Sequence, residues 1–133
     1  MKQNIIPVLI LMAGLSCQAQ IANCTPDIGI EIVGNNGVHF CMSKINLNWW
    51  SAHSWCRAIG MQLASYNTTC YDANGEEYGY CSSNFTNVAN KPDAWLSTAA
   101  EGGKAFYLYS GWNWSVHEGG SRKTKYRAFC SPA

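Results

Sequence analysis

Apolar and polar positions alternate in two short runs, "IGIEIV" at residues 28–33 and "VHFCM" at residues 38–42. Between them stands "GNNG", residues 34–37, and two such runs around a glycine- and asparagine-rich turn predict a β-hairpin. The period then changes. Asn48 is a good helix N-cap, and Trp49, Ala52, Cys56 and Ile59 recur at helical spacing. One helix with a single apolar stripe is predicted, ended by Gly60. Trp50 and Trp55 fall off that stripe, so they are either packed under other segments or exposed. No later stretch has a helical pattern of comparable strength.

From Leu63 to Pro92 polar and turn-forming residues dominate, which predicts a loop region. Beyond it the chain alternates again and is aromatic: "AWLS", "AFYLYS", "WNWSVH" and "KYRAFC", separated by "AEGGK", Gly111 and "EGGSRK". These runs predict a three-stranded antiparallel meander with an additional short strand at Trp95. The expected class is α+β, with small antiparallel sheets and one main helix in a single domain of residues 20–133. There are no internal repeats, linkers or low-complexity tracts.

The start of the chain changes the expected compartment. Met1-Lys2 precedes an apolar run from Ile5 to Leu15 and the small-residue stretch "SCQAQ". Such a run is too short to span a bilayer and predicts a secretory signal over residues 1–19, with Gln20 as the mature start. Lipid anchoring at Cys17 is the rival reading. No other stretch is apolar enough to cross a membrane, so a secreted or cell-surface protein, periplasmic or extracellular, is expected.

Without Lys2 the chain holds eight basic and eight acidic residues. No basic surplus remains for a nucleic-acid partner. Half of those basic residues lie in "RKTKYR", residues 122–127, which reads as a solvated strand edge.

Six cysteines follow the signal: Cys24, Cys41, Cys56, Cys70, Cys81 and Cys130. An even count in a small exported chain implies three disulfides, among about fifteen possible pairings. Cys70 and Cys81 alone have local support, because they bracket "YDANGEEYGY" with the hairpin signal Asn74-Gly75 at its midpoint. Closing that loop is worth about 3 kcal/mol in the chain-entropy treatment. A zinc site is disfavoured, since no CxxC pair occurs.

Candidate chemistry is sparse. Asp72, Asn74, Glu76 and Glu77 do not follow the spacing of a twelve-residue calcium loop. The histidines His39, His53 and His117 accompany neither G-x-S-x-G nor HExxH. No set of converging catalytic groups can be nominated, so no catalysis, metal or cofactor is expected. Trp112 and Trp114, two apart on an expected strand, would share one face, and Tyr107 and Tyr109 would share a face of the preceding strand, opposite Phe106 and Leu108. With Asn113, Glu118 and His117 beside them, these rings form a candidate ligand patch for a sugar's apolar face and hydroxyls. The competing reading is that one tryptophan fills the core. Asn67, Asn84 and Asn113 begin N-x-S/T sequons, read here as polar turns; a glycan on Asn113 would obstruct the patch.

The spacing Trp49-x2-Ala52-x3-Cys56-x3-Gly60-x2-Leu63-Ala64 resembles the first-helix motif of C-type lectin-like domains. That resemblance implies a bridge from Cys56 to Cys130 in the last strand, and an additional amino-terminal pair, Cys24 with Cys41. "AWLS" at 94–97 looks like the family's tryptophan-bearing central strand, and "WNWS" at 112–115 resembles the strand preceding its long loop. The long loop itself is missing, as is the carboxylate-amide pair beside a proline, and Trp112-Asn113-Trp114 lacks the aspartate of the family's calcium triplet. The resemblance therefore implies a compact, calcium-independent form, similar to bacterial surface adhesin domains, that binds a glycan or a cell-surface protein. An inhibitor, a toxin-like binder or a surface-assembly subunit is the alternative. The tryptophan-rich helix is expected to anchor the fold.

Overall fold

The first hairpin forms as its pattern predicts. In the computed structural model, which describes residues 24–133, β1 (Gly29–Val33) pairs antiparallel with β2 (His39–Leu47). The predicted signal segment, residues 1–19, and Cys17 lie outside the described residues. The helix α1 (Trp49–Ala58) follows, its N-cap Asn48 accepting the Ser51 N–H at 2.8 Å. Gly60 ends it at φ +79°, the left-handed position that favours glycine. Then come β3 (Met61–Leu63), the short α2 (Tyr66–Cys70) and a 3-10 turn at Cys81–Phe85. Three further strands, β4 (Ala94–Ala100), β5 (Lys104–Tyr109) and β6 (Ser115–Ser121), precede the closing β7 (Tyr126–Pro132).

The strands make one mixed seven-stranded sheet in the order β1-β2-β7-β4-β5-β6, with β3 also on β7. The predicted meander is displaced by one strand. β4, β5 and β6 form it, while β7 does not pair with β6 but returns to the sheet centre, antiparallel to β2 and β3 and parallel to β4. The reason is its composition. Ala128, Phe129, Cys130 and Ser131 are all buried, and a run with no solvent-facing alternate positions is favoured in the covered middle of a sheet over its solvated margin.

The "RKTKYR" stretch is consequently no strand edge. Residues 122–125 form the turn into β7, exposed from Lys123 to Lys125, and Arg127 lies in the central strand, donating to the Ser43 carbonyl at 3.0 Å. That contact belongs to a bulge in which β2 carries extra residues against β7 between Met42 and Asn46. The buried Ser43 hydroxyl accepts from Ala128 N–H and donates to the Ile45 carbonyl, so two backbone groups released by the interrupted ladder are paired through one side chain.

Two cores lie on opposite faces of the sheet. Phe40, Met42, Leu96, Leu108 and Phe129 pack under Phe85 and the 64–92 region. On the other face Cys41, Trp95, Ala128 and Cys130 pack under Ala52 and Cys56 of α1. Three disulfides fasten these layers: Cys24–Cys41, Cys56–Cys130 and Cys70–Cys81. Cys41 and Cys130 are direct cross-strand neighbours, so two bridges leave the same spot of the sheet, one of them to the helix.

The 70–81 loop forms a single bridge, Tyr71 with Glu77, in place of a regular strand pair. Gly75 takes φ +81° at its tip, and the Asp72 carboxylate accepts from the N–H groups of Asn74 and Glu76. Asn84, read from sequence as a polar turn, is fully buried. Its amide donates to the Thr69 carbonyl and accepts from Asn36 N–H, pinning the β1–β2 turn to the disulfide loop.

Candidate functional site: an aromatic platform on β5 and β6

The helix carries no such site. Trp49 donates its indole N–H to the Leu96 carbonyl at 2.9 Å, and the Arg122 guanidinium lies 4.5 Å over its ring. Trp55 packs against the helix-side core, while Trp50 is half exposed. His53 stands edge-on to Trp49, with its pKa lowered by burial and by Arg57. These rings hold the helix to the sheet.

Tyr107 and Tyr109 do share one face of β5, and the cross-strand partner of Tyr107 is His117. His117 becomes the hub of a cluster. Its ring centroid lies 4.4 Å from Tyr109, 5.7 Å from Tyr107 and 6.0 Å from Trp112. A register shift between Ala105 and Tyr107 puts a bulge into β6 beside this point, and Glu118 sits exposed there. Phe106 and Leu108 face the other way, into the loop-side core.

The two tryptophans do not share a face. After β5 the chain makes a 3-10 turn at Ser110–Trp112, and Asn113 and Trp114 then take φ values of 52° and 71°. Two left-handed residues in succession rotate the side chains out of strand alternation. Trp112 is 70% exposed, whereas Trp114 is 0% exposed, wedged between Phe85 and Phe129 with its indole N–H donating to the Pro92 carbonyl. Trp114 therefore leaves the predicted patch for the core, because a large ring with a buried donor needs both a cavity and an acceptor. Asn113 is exposed at the turn between the two rings.

Four residues outside the predicted patch shape it. Tyr126 stacks on Tyr107 at 4.7 Å and 23° between planes. Burial, then Tyr107 and the Asp93 carboxylate, push its hydroxyl up to about 12. No local signal could have found it, since it arrives only when β7 crosses back to the centre. Asp93 also accepts from Ser110 N–H at 2.7 Å, fixing the turn that presents Trp112; the Pro92-Asp93 dipeptide is the signal, as a turn initiator. Gly111 and Gly120 give room. A Cβ on Gly111 would stand 2.5 Å from the Tyr109 ring, and one on Gly120 would stand 2.7 Å from Tyr107.

The platform is thus an open shelf of ring faces and edges with polar groups at its border: the Tyr109 hydroxyl, the His117 imidazole and the Asn113 amide. It can stack a flat apolar face and hydrogen-bond around the rim, and it encloses nothing. Among the described residues no three His, Cys, Asp or Glu side chains converge on a metal position, and no helix is long and apolar enough to cross a membrane. Comparison with protein-family models, with curated proteins and with solved structures finds no match to this chain.

Proposed function

We propose that the chain is an exported, calcium-independent recognition module of the C-type lectin-like kind, and that it holds uncharged sugar rings against Tyr109, Trp112 and His117. One observation carries the ligand assignment: Trp112 is 70% exposed within a contiguous aromatic cluster. A large indole in water has no folding benefit at that position, and it is the shape on which the C–H face of a sugar stacks. The bordering charges, Asp93 and Glu118, disfavour an anionic ligand. The motif from Trp49 to Ala64, the Cys56–Cys130 bridge and the Cys24–Cys41 pair support the family reading. Three paired disulfides support export, because such bonds persist in oxidising compartments. The calcium site of sugar-binding relatives does not fit here. Between Ser115 and Cys130 Glu118 is the lone carboxylate, against the six to eight or so oxygen ligands calcium takes. Recognition without catalysis is the corresponding activity.

An open shelf that stacks one or two rings gains about 1–3 kcal/mol, so a single sugar binds weakly and avidity must come from multivalent display. A densely printed glycan array, read with and without chelator, is therefore the right test. Retention should survive chelator, disappear in Trp112→Ala and weaken in Gly111→Ala, in which the new methyl displaces Tyr109. Retention that vanishes with chelator, or that is indifferent to both substitutions, removes the proposal. Capture of host or envelope proteins with no glycan retained would favour the protein-binding alternative.

A further inference from the structure

The strand β1 is one edge of the sheet, and the phase of its hydrogen bonds can be followed outward from the turn. Gly34 N–H donates to the Val38 carbonyl at 3.0 Å, so by alternation Ile32 with Phe40 and Ile30 with Met42 are the hydrogen-bonded pairs. Glu31 and Val33, one step out of phase, turn their N–H and C=O groups away from β2. Their neighbours obey the same phase. Gly29 N–H points outward to the Thr25 carbonyl at 3.0 Å, and Asn35 N–H points outward to the Asn84 carbonyl at 2.7 Å. Between these two closed positions, the backbone groups of Glu31 and Val33 meet no partner among the described residues.

This stretch of edge borders a groove of about 460 Å³ that is also lined by the 87–90 loop. Ile30, Ile32, Met42 and Val88 give the groove an apolar floor on the loop side of the sheet. Val33 is 46% exposed at the end of the strand, and the Glu31 carboxylate lies on the helix side, accepting from His39 at 2.9 Å. Lysine, proline and a bulge, which blunt many edges, are absent from "GIEIV", and Glu31 is its one charge. A second copy is disfavoured as occupant: the two-fold register that uses the free groups of both residues sets each Glu31 opposite Val33 of the other copy and gives neither carboxylate the counter-charge that a basic segment supplies.

We propose that β1 is a docking edge for an extended peptide segment of another protein. The segment adds a strand through the backbone of Glu31 and Val33. Its alternate apolar side chains enter the groove, and a lysine or arginine on its other face stands opposite Glu31. The aromatic platform takes no part.

The test is amide exchange and NMR titration of the isotopically labelled, oxidised protein with an acetylated, amidated heptapeptide of alternating valine and lysine. Exchange at Glu31 and Val33 should slow on binding, and Trp112→Ala should bind equally well. Glu31→Lys should weaken this peptide by about tenfold and favour its valine–glutamate counterpart. A peptide N-methylated at the pairing amides should not bind. The inference is overturned if those two amides are already protected without peptide, if the N-methylated peptide binds as well, if no titration occurs, or if sedimentation shows that the protein dimerises through this edge.

Discussion

Two tryptophans separated by one residue should respond in opposite ways to the same substitution. Trp114 is fully buried, with rings of Phe85 and Phe129 at 5.2 and 5.3 Å and its indole N–H on the Pro92 carbonyl. Trp114→Ala removes a buried aromatic, which costs about 3–5 kcal/mol, and leaves the Pro92 acceptor unpaired for about 1 kcal/mol more. The left-handed backbone at Trp114 is strained with either residue, so that term largely cancels. A loss of about 4–6 kcal/mol, divided by an unfolding entropy of roughly 0.23 kcal/mol/K for a domain of this size, lowers Tm by about 17–26 °C. Trp112, 70% exposed, gives up few packed contacts, and Trp112→Ala should stay within about 0.5 kcal/mol of the parent. Differential scanning calorimetry of the two variants with all disulfides intact is the assay. If Trp112→Ala destabilises as much as Trp114→Ala, or if Trp114→Ala melts with the parent, the assignment of one ring to the core and the other to the ligand shelf is wrong.

Other perturbations probe the frame that holds the platform. Asn84→Ala strands the Asn36 N–H and the Thr69 carbonyl, so urea unfolding should show a loss of about 2–4 kcal/mol at constant m. In a glycosylating host, peptide mapping should find sugar on the exposed Asn67 or Asn113 and none on the buried Asn84. Removing Cys56 and Cys130 together opens a sequence separation of 74, worth about 4.5 kcal/mol in the chain-entropy treatment; removing Cys24 with Cys41, separation 17, should cost about 3 kcal/mol. The reverse order of melting temperatures would contradict the helix bridge as the main staple. Tyr126 titrates near pH 10 when unfolded and at about 12 when folded. The unfolded chain therefore loses its proton first, and stability falls as pH rises from 10 toward 12. Tyr126→Phe should flatten that alkaline decline in melting experiments, and an unchanged slope would show that the stacked phenol is not responsible.

Much of the local structure is readable from residue order alone because its causes are local. Asn48 and Gly60 set the limits of α1, the spacing of Ala52 and Cys56 sets its buried face, and "GNNG" sets the first turn. Tyr107 and Tyr109 share a face because strand alternation requires it, and the Cys70–Cys81 bridge closes across a short turn-rich loop. The other decisions were tertiary. Whether β7 lies at an edge or at the centre depends on which distant strands cover both its faces, and that choice brings Tyr126 onto Tyr107 and Cys130 beneath Cys56. The fate of Trp114 turned on two left-handed residues and on a cavity lined by Phe85 and Phe129. Periodicity carries no sign of either, since a pattern records which side chains avoid water and not which partners will be there to cover them.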